Sequence, residues 1–123
     1  MVTNGGNVGI GVSNPGNALT IARSGVIADL SVVTASDTFF HGAYLRAARA
    51  RGTIASPNPV LADDVVFLID ATAYSNVAYQ NTGSLRLSVD GSPNLSNVPG
   101  KWSFSTTNAG TGEAVRMVLD SNG

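Results

Sequence analysis

Between Ser84 and Asp90 the side chains alternate without a break. Leu85, Leu87 and Val89 fall on one side of an extended backbone, and Ser84, Arg86, Ser88 and Asp90 on the other. A period of two marks a strand with one face in an apolar environment; a helix would scatter the same residues around its circumference. The pattern recurs. Trp102 and Phe104 alternate with Lys101, Ser103 and Ser105, and Val115, Met117 and Leu119 share one side of a closing strand over 114–120. Residues 18–23 alternate as a short strand, Ser24-Gly25 is a turn signal, and 26–33 reads as the next strand, with the β pattern continuing through 38–46. Residues 65–69 read as a strand buried on both faces, which 70–75 carries outward. The stretch 43–51, rich in Ala with three Arg, has some helical propensity, but its β-rich flanks favour an extended form. Ser56-Pro57-Asn58-Pro59, a long turn over 91–100 and a short one over 107–112 separate the strands. The expected fold is all-β, a small antiparallel β-sandwich or barrel-like module.

Residues 1–17 differ from the rest. Val8 and Ile10 alternate with Gly9 and Gly11, so one face is apolar and the other carries no side chain. Such a segment suits an extended arm packed on its glycine side, although a loose N-terminal arm fits the same composition. The domain reading is therefore a Gly/Asn-rich extended arm or inter-module segment over 1–17 and a β module over 18–123.

Several functions are disfavoured by what the chain lacks. Its net charge is −1 with one Lys, which gives no basic footprint for nucleic acid. It has no Cys, hence no disulfide framework, thiolate nucleophile or Cys-based zinc site. No apolar run approaches membrane-spanning length, and residues 1–6 show no signal-peptide pattern, so neither membrane insertion nor export by such a signal is expected. Hydrophobic residues at 43% argue against disorder despite only 12% charged residues.

Two parts of the chain resemble a module of bacteriophage tail-fibre and tail-spike proteins that often precedes a self-cleaving chaperone domain. The first is Gly6-Asn7-Val8-Gly9-Ile10-Gly11-Val12-Ser13-Asn14-Pro15, similar to the GNVGIG-x-x-x-P segment that opens such modules. The second is spread along the chain: Ala50-Arg51-Gly52-Thr53, Asp64 before the apolar strand, Val89-Asp90-Gly91-Ser92-Pro93, Pro99-Gly100-Lys101-Trp102-Ser103-Phe104, and the closing Arg116-Met117-Val118-Leu119-Asp120-Ser121-Asn122-Gly123. In the family this ending is commonly followed by another GNVGIG, so the chain resembles one period of a repeat. Val2-Thr3-Asn4-Gly5-Gly6 echoes Leu119-Asp120-Ser121-Asn122-Gly123, as head-to-tail stacking requires. Ala62-Asp63-Asp64 departs from the family's Gly-Asp turn, and 71–79 lacks its Gly-rich hairpin. The resemblance implies a non-enzymatic virion protein, an intertwined homotrimer on the phage tail or capsid surface, assembled in the host cytoplasm beside other virion proteins. A capsid decoration or head-fibre protein cementing capsomers, and a glycan-binding receptor tip, are the alternatives.

The candidate residues follow from these readings. Val8, Gly9, Ile10 and Gly11 are expected at a subunit interface, where small residues admit a neighbouring backbone. Arg46, Arg49 and Arg51 form the densest charge cluster and suit ion pairs with Asp29, Asp37 or a neighbouring subunit's carboxylates. Tyr74 and Tyr79 are candidates for stacking on host surface glycan, whereas Trp102 reads as core. His41, with Ser36 and Asp37, is the one combination suggesting a triad, but no nucleophile elbow accompanies it. Asp63-Asp64 reads as a turn rather than a cation site. The other acids, Asp29, Asp70, Asp90 and Asp120 among them, offer no evident glycosidase pair. No catalytic residue, metal or cofactor is expected.

Overall fold

The computed structural model describes residues 6–123 and is all-β, with no helix among them. Residues 2–5 of the echo assigned to 2–6 therefore lie outside the described residues. The chain divides into two compact units, one ending at Leu45 and the other spanning Arg46–Gly123.

The first unit is built on two short parallel strands, β1 (Val8–Ile10) and β2 (Leu19–Ile21), paired Val8 to Leu19, Gly9 to Thr20 and Ile10 to Ile21. The pairing ties the glycine-rich segment to the strand after it. The ladder is extended at each end, by the Val8 amide donating to the Ala18 carbonyl at 2.8 Å and the Ala22 amide to the Ile10 carbonyl at 2.9 Å. Parallel strands normally need a connection of a dozen or more residues. Here the chain returns in eight, over 11–18. Gly11 takes a left-handed φ of 77°, Pro15 is buried, and the Asn7 side chain donates to the Pro15 carbonyl at 3.1 Å.

Residues 26–33 were expected to form a strand, and so was the pattern through 38–46. The structure forms none there. An alternating sequence becomes a strand only when another backbone accepts its hydrogen bonds. Along this stretch the apolar side chains stay in solvent: Ile27 is 82% exposed, Val33 85% and Phe39 98%.

The second unit begins with a small hairpin, β3 (Arg51–Gly52) and β4 (Pro57–Asn58), closed by reciprocal Thr53–Ser56 backbone bonds. A four-stranded antiparallel meander follows: β5 (Val65–Tyr74), β6 (Tyr79–Val89), β7 (Gly100–Asn108) and β8 (Gly112–Leu119), adjacent in chain order. Its turns carry the expected chemistry. Asn76 has φ 74° in the β5–β6 turn, Gly112 φ 77° after the β7–β8 turn, and the Asn94 carboxamide oxygen accepts from the Ser96 and Asn97 amides in the long β6–β7 connection.

The register sorts the side chains. Phe67, Leu87, Trp102 and Leu119 form one row across all four strands, and Ile69, Leu85, Phe104 and Met117 form the next row on the same face. The opposite face carries Leu68, Arg86, Ser103 and Val118, then Asp70, Ser84, Ser105 and Val115. Bulges at Val66 and Arg116 shift the register at both edge strands, as edge strands commonly do.

No second layer covers the apolar rows. Pro15, Val60 and Val89 are the only buried apolar side chains among the described residues, while Ile69, Met117 and Leu119 are about half exposed. The antiparallel sheet thus appears without the opposing sheet of a sandwich. The expectation that 65–69 would be buried on both faces fails for the same reason: β5 is an edge strand, with Leu68 and Ile69 both open to solvent.

Candidate functional site

The tightest polar structure closes one end of the meander. Asp64, just before β5, is 7% exposed and accepts four N–H donors. Arg51 grips it with a two-pronged fork, Nε to Oδ2 and Nη2 to Oδ1, both at 2.8 Å. Arg49 adds a bond of 3.1 Å to Oδ1, and the Leu61 amide one of 2.9 Å to Oδ2. The backbone is tied in as well: the Val89 amide donates to the Asp64 carbonyl, and the Asp63 amide to the Val89 carbonyl, each at 2.9 Å. Asp63, in the left-handed region at φ 64°, turns its carboxylate to Lys101 Nζ at 2.8 Å. Lys101 also lies 3.8 Å from Asp90, whose other oxygen accepts from the Ser121 amide and hydroxyl at 3.0 and 2.8 Å.

These contacts shift the ionisations. The Arg51 fork holds the Asp64 carboxyl far below the usual carboxylate range, helped by the Leu61 amide and opposed by the loss of water. The two Ser121 bonds lower Asp90, and the Asp63 carboxylate raises Lys101. Asp64 protonates more readily in the unfolded chain, at the ordinary value of about 3.9. Its contribution to stability is therefore complete above that pH and is lost as pH falls toward the lower folded value. Asp90 adds to the same trend, whereas the Lys101 contribution is complete below about pH 10.4 and lost as pH rises through its raised folded value. The melting temperature should thus stay level from pH 8 to about pH 5 and fall below about pH 4. Asp64→Asn should melt lower at pH 7 and show a shallower acid decline, which a series of thermal melts would measure.

Arg49 and Arg51 thus meet a carboxylate of their own chain, not the Asp29 or Asp37 considered from the sequence; Arg46 forms no ion pair among the described residues. Sequence spacing offered little warning, because Asp64 lies 13 residues beyond Arg51 and is brought back by the β3–β4 hairpin.

Gly9 and Gly11 have reasons inside the chain for lacking side chains. A Cβ on Gly9 would strike the Val12 carbonyl oxygen, and one on Gly11 the Ala22 carbonyl oxygen. Val8 is half-buried and Ile10 is 53% exposed. Tyr74 and Tyr79 form a cross-strand pair at the β5–β6 tip, ring centres 5.5 Å apart at 67°, and are 62% and 73% exposed. The Ser36 hydroxyl lies 2.8 Å from His41 Nδ1 and accepts from the Thr38 amide at 3.1 Å, which knits an exposed turn. No carboxylate bonds to His41 among the described residues, and Phe40 packs edge-on against its ring. Trp102 sits in the apolar row, half-buried.

The polar face carries a network the sequence did not suggest. Glu113, the only Glu, accepts from the Ser84 hydroxyl at 2.5 Å and the Asn81 amide at 3.1 Å, and Asn81 also donates to Asp70 at 3.0 Å. It joins three strands across an exposed surface. The other face carries two rows of four large apolar side chains, of which Ile69, Phe104, Met117 and Leu119 are exposed and the rest half-buried. Compared with known proteins, the sequence matches no family model and no curated protein.

Proposed function

We propose that this chain is a non-enzymatic structural module of a virion, a trimeric component of a bacteriophage tail fibre or spike that assembles and orients the host-attachment apparatus. The uncovered apolar face carries this reading. The chain exposes 9722 Å². Two separately compact units of these lengths would expose only roughly 7,400 Å² by surface scaling, leaving an excess of roughly 2,300 Å². That excess, spread over both units, is of the size of obligate subunit interfaces, and exposed apolar rows of this kind support a surface that meets another chain. Its partners are copies of the same chain, with other virion proteins at the ends of the assembly.

The pieces that resemble the phage module add support, because several converge on one structure. Arg51 from the Ala50–Thr53 piece meets Asp64, while Asp90, Lys101 and Ser121 from later pieces share the adjoining cluster. They are the residues that close the sheet, as expected of a module defined by its scaffold rather than by a reaction. The exposed Tyr74–Tyr79 pair favours a second reading, a glycan contact at the β5–β6 tip, since paired aromatic faces accept sugar rings.

Light scattering in dilute buffer should give three times the 12.5 kDa chain mass. A stable, well-folded monomer would remove the physical support for the fibre reading. In parallel, His41→Ala should leave the trimer intact, cost about 1 kcal/mol or less, and abolish no hydrolysis of host surface glycan. Robust hydrolysis lost in that variant would make the protein an enzyme.

A further inference from the structure

The chain holds two unsatisfied elements of matching character. One is the apolar face of the meander. The other is the stretch 26–33, where Val26, Ala28, Leu30 and Val32 occupy one side of a period-two pattern and no strand forms. Both are exposed: Leu30 is 68% exposed and Val32 55%, against 50% for Ile69 and 53% for Met117. Their charges are complementary. The only charged side chains between Ser24 and Leu45 are Asp29 and Asp37, apart from the single His41. The apolar side of the sheet is edged by Arg116, which bonds to the Thr106 hydroxyl at 3.0 Å and has no carboxylate partner among the described residues.

We propose that residues 26–33 of one copy lie across the apolar face of a neighbouring copy's meander, with Val26, Leu30 and Val32 against the sheet and an Asp at the rim facing Arg116. The proposal rests on the assembly reading above and adds to it which surfaces meet. Each chain is then both donor and acceptor, a heterologous contact that closes when three copies form a ring. It supplies the apolar cover that a one-sided sheet requires.

The absence of Cys makes the test direct, because every thiol is one that has been introduced. Met117 and Val118 are adjacent and equally exposed, at 53% and 52%, but face opposite sides of the sheet. Packed layers lie about 10 Å apart, too far for a disulfide needing Cα atoms within about 7 Å, so a short bis-maleimide is the suitable reagent. Full-length Leu30→Cys chains, refolded together with Met117→Cys chains, should cross-link between chains at least about tenfold faster than with Val118→Cys chains. Equal rates for the two partners would overturn the proposal. So would a Leu30→Cys/Met117→Cys double variant that cross-links within one chain, since the stretch would then cover its own sheet. Trimers by light scattering without the Met117 cross-link would overturn this contact and leave the assembly reading standing; monomers would overturn both.

Discussion

Ile69→Asp should abolish assembly while leaving the isolated sheet folded. Ile69 lies in an apolar row on β5 yet is 50% exposed in the single chain, so a carboxylate there costs the lone chain little. Once the face is covered, the same carboxylate is buried without a partner. Losing a hot-spot contact at the centre of an interface costs about 2 kcal/mol or more, about 30-fold in dissociation constant, before the charge is counted. A ring of three copies takes that penalty at each contact. The control is Leu68→Asp, one residue away at 45% exposure, on the opposite face and in register with Arg86. The dissociation midpoint against protein concentration should move far upward for Ile69→Asp and hardly for Leu68→Asp, with far-ultraviolet circular dichroism unchanged in both. Equal shifts would mean that the apolar rows do not meet a partner.

Gly11→Val should dismantle the parallel β1–β2 pair. Its φ of 77° is one that a β-branched residue rarely adopts, and the new Cβ would run into the Ala22 carbonyl. Strain of this kind costs about 1–3 kcal/mol before the clash is relieved by moving backbone. A pair of three-residue strands has little reserve against such a loss. Hydrogen exchange at the Ala22 amide, which bonds to the Ile10 carbonyl, should rise by at least one order of magnitude. Gly16→Ala, which meets nothing within 4 Å, should leave that amide protected. Because the obstruction lies within the chain, the effect should appear in monomer and assembly alike. It therefore separates the local duty of this glycine from any further role of Val8–Ile10 between subunits.

The parts of the fold legible in the sequence are those whose partners lie next to them in the chain. Leu85, Leu87 and Val89 on β6, Trp102 and Phe104 on β7, and Met117 and Leu119 on β8 alternate in sequence and share a face in the structure, because each hairpin brings the following strand alongside. The stretch 26–33 alternates just as clearly and is not a strand, since periodicity specifies a face but supplies no neighbour. Residues 65–69 misled in another way. A run of five apolar residues suggests burial on both sides, yet at the sheet edge it gives one row facing each way. The candidate site was legible in part. Tyr74 and Tyr79 are legible as candidates for one kind of contact, and the tight β5–β6 turn makes them a cross-strand pair. Arg49 and Arg51 were recognised as pairing residues, but their partner depended on a loop whose path local spacing does not encode.

The meander also dictates the order in which the molecule matures. Each of its strands pairs with the next one along the chain, so its contacts close short loops, and topologies of this kind fold quickly. Covering the exposed apolar rows is a different sort of event, because the hairpins that build the sheet do not do it. The first process is unimolecular and indifferent to concentration; the second, on the assembly proposed above, would be an encounter between molecules whose rate rises with their number. On that proposal a newly made chain would be left, for an interval set by its own abundance, with a finished sheet and exposed apolar rows, and productive docking would then compete with indiscriminate aggregation.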